Sequence, residues 1–444
     1  MLMKHIKWII LSITAMLYLQ AVLPVCAETI TLATIWSTTS SGNGMDINFD
    51  TASRRVQKAR QGFEEGIASI PDKPEIREIL IAENSDVRKY MTDIAELYEN
   101  QDILMTVGAI TDEATMYASM EMNFFGVPML IPFADGFSGS DTNSSNSVRL
   151  MPTAQKFANY FSELFSANMF SFLNTLLFKD SNIPYYNFDV VIFFANNYNG
   201  HNTAVNITEE IMGNGFNIES YTPYEMTRLL QTVRNSWLNF PEKMESAEVV
   251  IIIGEDGDPL NGLSEVYHLW KDNDLDPIFL LVGYVPDMLT NDLAKAEKVF
   301  AVQPALDMSK CPSDISNRSE ALGYAAGYIT ARAITEANKT QKKEPSGIAL
   351  WFRSDARKRE IHQEYISSFR INIQTNLLKL NEDIPCYGHV NFNLSTDNQI
   401  NMEMVHYTSP DSFVVVDGPS VLMNSLLQKL TDQYGDYIDS RSGE

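Results

Sequence analysis

The sequence predicts an α/β protein with parallel sheets, and three observations point there. Short apolar runs end in polar or glycine-containing loops and alternate with segments of helical period. The stretch Asp102 to Gly136 reads as one complete strand, helix, strand unit. Beyond the polar cluster Asp141-Thr-Asn-Ser-Ser-Asn-Ser147 the same rhythm restarts, so two such lobes are expected.

In the central unit Ile103 to Val107 is an apolar run broken by Gly108, Ala114 to Phe124 has helical length, and Gly126 with Pro128 stops that helix before Met129 to Ile131. Upstream, ETITLATI from Glu28 to Ile35 alternates as a strand and gives way to the loop Trp36 to Gly44. Ala52 to Ile70 places Val56, Ala59, Phe63, Ile67 and Ile70 on one helical stripe. Ile76 to Ala82 is the next strand and Val87 to Glu99 the next helix.

Val148 to Pro152 reads as a crossover into the second region. There the spacing predicts a helix over Lys156 to Leu177, a strand over Asp189 to Phe194, a polar loop Asn196 to Gly200, and a helix from Ala204 to Met212. Strands follow at Glu248 to Ile253, Pro277 to Val282 and Lys298 to Val302, with a helix at Leu263 to Trp270. Ala321 to Glu336 is a small-residue helix suited to close packing on a sheet, and Gly388 to Asn393, Ile400 to His406 and Phe413 to Asp417 read as strands with hairpin-like spacing.

A chain of 444 residues with 45% hydrophobic content can bury a large core, enough for two or three domains of roughly 100–200 residues each. Lys4 and Lys7 precede the apolar run Trp8 to Val25, and Val25-Cys26-Ala27 closes it, the order of a secretory signal peptide spanning 1–27. An uncleaved anchor helix or a lipid-modified Cys26 are the alternatives. Cleavage leaves an exported chain, periplasmic or secreted, and removing Lys4 and Lys7 moves the formal charge from −24 to −26. Such acidity excludes a nucleic-acid partner, whose phosphates demand a basic surface. It also opposes adsorption to anionic lipid. Cys311 and Cys386 then remain, either as a disulfide, which an oxidising compartment favours, or as two buried or free thiols.

Enzyme chemistry finds no constellation. The histidines His201, His268, His362, His389 and His406 lack metal-ligand spacing, and neither a metalloprotease helix nor a phosphate-binding glycine loop occurs. Asp272-Asn-Asp-Leu-Asp276 begins like a calcium loop, but Pro277 replaces the required glycine. Gly136-Phe-Ser-Gly-Ser140 fails as a nucleophile elbow at its last position. No cofactor, no metal and no catalytic residue are expected, with Asp256 and Asp258 as the acid pair that a hydrolase would need.

The order of elements resembles the type I periplasmic binding proteins, the branched-chain amino-acid binding type associated with ABC importers. The resemblance runs from Ile30 to about Asp417, carried by RVQKARQGFEEGI, VGAITDEATMYAS with FFGVPMLIPFADG, DVVIFFANNYNGHNTAVNI, ALGYAAGYITARAI and GHVNFNLSTDNQINMEMVHY. It implies two doubly wound parallel-sheet lobes joined by a three-segment hinge, with ligand held between them. On that map 28–150 and 303–390 form the first lobe, 151–302 the second, and 391–444 the hinge and the strands completing the second. The resemblance further implies a monomeric carrier that delivers a small polar ligand, such as an amino acid, amide or polyamine, to an ABC permease. A sensory or envelope-regulatory module of the same fold is the alternative.

Carried over loop by loop, the resemblance implies ligand contacts at Trp36, Ser37, Thr111, Asp112, Ala134 and Asp135 in the first lobe. It implies Tyr198, Glu255, Asp256 and Tyr284 in the second. Asp112 and Asp135 stand where the resemblance leads one to expect small hydroxyl residues. A ligand carboxylate facing them would meet like charges, each worth about 4 kcal/mol at 4 Å for an effective dielectric near 20. Acids beside aromatic faces suit a cationic or polyhydroxylated ligand instead.

Overall fold

Strands buried on both faces read as continuous apolar runs, and eight of the ten described strands in the two parallel arrays are of this kind, the edge strands Ile76–Ala82 and Asn217–Tyr224 being half-exposed. The computed structural model describes residues 29–428 except 38, 42–45, 49–53, 84–85, 135–145, 166–188, 215, 226–227, 255–261, 284–292, 294–295, 316, 345–352, 393–399, 410–411 and 425–426. The expected leader at 1–27 lies outside the described residues, among which no helix is long and apolar enough to cross a membrane.

The first lobe begins with β1 (Ile30–Trp36), the short hairpin β2 (Thr39–Ser41) and β3 (Asp46–Asn48), and α1 (Arg54–Ser69). It continues with β4 (Ile76–Ala82), α2 (Val87–Asn100), β5 (Ile103–Val107), α3 (Asp112–Phe125), β6 (Met129–Ile131) and β7 (Ser147–Arg149). Its sheet runs β4-β1-β5-β6-β7, every pair parallel. The chain then crosses to α4 (Ala154–Leu164), β8 (Asp189–Ala195), α5 (Tyr198–Gly213), β9 (Asn217–Tyr224), α6 (Leu229–Asn239) and α7 (Pro241–Ser246). Next come β10 (Val249–Ile253), α8 (Leu263–Lys271), β11 (Ile278–Val282) and β12 (Val299–Pro304). A second crossing leads to α9 (Arg318–Thr340), α10 (Asp355–Leu378), and the hairpin β13 (Asn381–Ile384) and β14 (Gly388–Asn391). A third returns to β15 (Met402–Ser409) and β16 (Ser412–Val416).

The second sheet runs β16-β15-β12-β11-β10-β8-β9, parallel from β12 to β9 and antiparallel at β15 and β16. Three connections therefore join the lobes, 150–153, 305–317 and 392–401, which is the hinge of a doubly wound two-lobe fold. Each sheet separates two apolar layers. Alternation along β1 sends Ile30, Leu32 and Trp36 to one layer of the first lobe and Ala33 and Ile35 to the other.

Several elements differ from the sequence reading. The helix expected from Lys156 begins at Ala154 and ends at Leu164, where residues 166–188 leave the described set. The polar loop expected at Asn196 to Gly200 is half helix, because α5 starts at Tyr198 with the Asn197 side chain accepting the Gly200 N–H at 2.7 Å. The strand at Gly388 pairs with β13, not with β15. The small-residue helix α9 meets α1 at very close range, so its glycines serve a helix partner more than a sheet. Cys311 and Cys386 are joined, with Cα atoms 4.4 Å apart.

Candidate functional site

In a parallel α/β sheet the carboxyl ends of the strands, and the loops and helix starts that follow, form the natural binding surface. In the first lobe these ends are Trp36, Ala82, Val107 and Ile131, and β1 pairs Trp36 with Ala82 in register. The residues just beyond them are Ser37, Glu83, the segment Gly108 to Thr111, and the segment ending in Ala134.

Glu83 draws this end of the lobe together. One oxygen of its carboxylate accepts the Ile110 N–H at 2.5 Å and the Thr111 N–H at 3.1 Å. The other accepts the Thr111 hydroxyl at 3.2 Å, and the Ser37 hydroxyl bonds to the same carboxylate. Its own N–H is held by the Trp36 carbonyl at 2.9 Å. Burial pushes the Glu83 carboxyl above the ordinary carboxylate range, against the lowering effect of the two backbone N–H groups and the two hydroxyls. Thr111 is also the N-cap of α3, its hydroxyl accepting the Ala114 N–H at 3.4 Å. Asp112 opens that helix and is buried, at 3% exposure. Carboxylates at the start of a helix are favoured by the partial positive charge there.

Of the residues singled out from the sequence, Ser37 and Thr111 thus meet on one group, with Asp112 next in line. Ala134 is fully buried in the apolar layer that includes Ile131 and Ala109, so only its backbone is left to face a ligand. Asp135, Glu255, Asp256 and Tyr284 lie outside the described residues, and Tyr198 is placed at the first position of α5 without a described side chain.

Trp36 is a correction. The strand reaches one residue further than its alternation suggests, and the indole turns into the core, 1% exposed. It packs against Phe63 at 5.9 Å and Phe133 at 5.7 Å between ring centroids, with the Arg60 guanidinium 5.6 Å from its centre. The large aromatic that had no evident core to fill does have one, made by α1 and by Phe133 in the segment that follows β6. Trp36→Ala is therefore expected to cost about 3–5 kcal/mol of stability without any ligand present. Denaturant unfolding checks this, and wild-type stability in the variant would return Trp36 to the binding surface.

Glu83 is the residue that sequence reading passed over. Its only signal is position, an acid directly after a buried strand, and the backbone N–H groups it collects carry no residue-type signature. In the second lobe the Asn196 side chain donates to Glu225 at 2.9 Å beside the start of α5. Helices α3 and α5, one from each lobe, come into contact. Among the described residues no group of three His, Cys, Asp or Glu side chains is placed to hold a metal ion.

No known family profile matches the sequence, and no curated protein matches it. Solved structures do. The chain is similar to an ABC transporter substrate-binding protein of Desulfitobacterium hafniense in complex with Leu, at 13% identity and TM-score 0.56, over 88% of this chain and 100% of that one. It is similar to the branched-chain amino acid transporter substrate-binding protein LivJ of Streptococcus pneumoniae in complex with isoleucine, at 13% identity and TM-score 0.59, over 88% and 99%. An extracellular ligand-binding receptor of Rhodopseudomonas palustris matches at 12% identity and TM-score 0.60, over 88% and 100%. At these identities the likeness establishes the fold, that of the type I periplasmic binding proteins with two α/β lobes on a triple hinge.

Proposed function

We propose that this protein is an exported, non-enzymatic binding protein that captures a small polar ligand between its lobes and hands it to an ABC permease. The observation that carries the reading is the convergence of Ser37, Glu83, Thr111 and Asp112 at the strand ends of the first lobe, in a fold whose solved examples include ligand-bound transport proteins. The bonded Cys311 and Cys386 agree with an oxidising compartment outside the cytoplasm. Asp135, Tyr198, Glu255, Asp256 and Tyr284 are proposed as the remaining contacts, on the same strand-end reasoning. The domain limits of the sequence reading, with 28–150 and 303–390 in one lobe and 151–302 and 391–444 in the other, belong to the same proposal.

A thermal-shift panel of amino acids, amides, polyamines and sugars on the mature protein tests it. A ligand at about 100 times its dissociation constant adds about 2.7 kcal/mol. For a chain of this size that is a rise of about 3 °C in Tm. One class of polar compound is expected to give it, and a panel with no shift would sink the transport reading.

A further inference from the structure

We propose that Glu83 sets ligand class at the first lobe: its carboxylate already occupies the anion position made by the Ile110 and Thr111 N–H groups and the Thr111 and Ser37 hydroxyls. The ligand group bound at this end is therefore neutral or cationic. The inference rests on the reading of the strand ends as the ligand surface, and deepens it. Loop N–H groups and hydroxyls after a parallel strand are the usual donors for a ligand anion. Here four of them are spent on a side chain of the same chain. An incoming carboxylate would find those donors taken, with the buried Asp112 on the residue that follows Thr111. Like charges at such range repel, whereas an ammonium or an amide N–H finds acceptors.

The geometry also explains why Glu83 tolerates burial. Both backbone N–H groups meet the same oxygen, Oε1, so a glutamine in its place keeps those two bonds and presents its NH2 to Thr111 Oγ1, which accepts. Glu83→Gln thus removes charge and little else. Glu83→Ala removes the anion and leaves its donors unmet.

Two measurements test this. In the first, wild type, E83Q and E83A are melted in about 100 mM sodium acetate and in matched sodium chloride, acetate being a free carboxylate that binds only where donors are open. E83A is expected to melt about 5 °C below wild type in chloride and to recover several degrees in acetate, while wild type and E83Q do not respond. If E83A is unfolded in chloride, its refolding in acetate but not in chloride is the same result. An E83A variant indifferent to acetate, or a wild type that responds equally, overturns the proposal. In the second, wild type is melted with leucine, leucinamide and isoamylamine, which share a side chain and differ in the polar end. A shift with leucine that is lost with leucinamide and isoamylamine overturns the assigned class. Silence from all three compounds bears on the cleft reading alone, because the acetate result needs no ligand.

Discussion

Gly62→Ala is expected to destabilise the protein by about 3 kcal/mol or more, although the same exchange inside an ordinary helix gains about 1 kcal/mol from propensity. The sign reverses because α1 and α9 meet backbone to backbone. A Cβ on Gly62 would sit well inside 3.0 Å of the Glu320 carbonyl oxygen, and one on Gly66 would collide in the same way with the Tyr324 carbonyl. From the other side, Gly323 abuts the Ala59 carbonyl and Gly327 the Phe63 carbonyl. The four glycines fall at i, i+4 on both helices, so they face each other along one seam. The obstructing atoms are main chain and cannot rotate away, so a single methyl group must drive the helices apart. Gly213→Ala, at the last turn of α5 where nothing lies within 4 Å of the added carbon, is the control and is expected to be neutral or slightly stabilising. Chemical denaturation of the two variants decides it, and a Gly62→Ala protein as stable as the control would show that the seam relaxes.

Arg318→Ala is the second large expected effect, a loss of about 3–5 kcal/mol. Arg318 is the first residue of α9 and is 6% exposed, yet it ties the first lobe to the sheet of the second. Its Nη1 donates to Glu403 Oε1 at 3.1 Å on β15, its Nη2 donates to the Pro304 carbonyl at the end of β12, and its guanidinium lies 5.2 Å from the Phe413 ring. Gln303 donates to the same Glu403 oxygen at 3.2 Å and accepts the Tyr407 hydroxyl at 3.0 Å. Truncation takes the cation away from a largely buried carboxylate, which keeps the Gln303 amide, and removes a donor from the Pro304 carbonyl, so the penalty is that of a weakened polar network. The double variant Arg318→Met with Glu403→Leu should recover most of the loss. Equal instability in the single and double variants would mean that packing, not charge, dominates the junction.

Much of the first lobe was legible because its inner strands are buried on both faces and its edge strand, Ile76–Ala82, still carries an apolar run. Ile76 to Ala82, Ile103 to Val107 and Met129 to Ile131 fall where the apolar runs and their glycine and proline borders put them. What escaped was structure whose apolar content is thin. Helix α10 spans Asp355–Leu378, yet only Tyr365, Ile366, Phe369, Ile373 and Leu377 are buried along it, and its charged face hides the period. Strand β9, NIESYTPY, is an edge strand with a mostly half-exposed pattern, so neither alternation nor a continuous run marks it. At the site, residue type misled in one place and was silent in another. Trp36 suggested an exposed aromatic until its strand proved one residue longer, and Glu83 acts through main-chain donors that no side-chain motif announces.

The bond between Cys311 and Cys386 lies in an unusual place. Cys311 belongs to the second connection between lobes, and Cys386 sits in the hairpin that feeds the third. Three separate ribbons between two bodies would permit bending, twisting and lateral sliding. Welding one ribbon to the root of the next removes their relative sliding and stiffens the pair against torsion, while leaving the bend nearly untouched. Any opening of the lobes would thus be confined to something close to a door's single degree of freedom, along one arc.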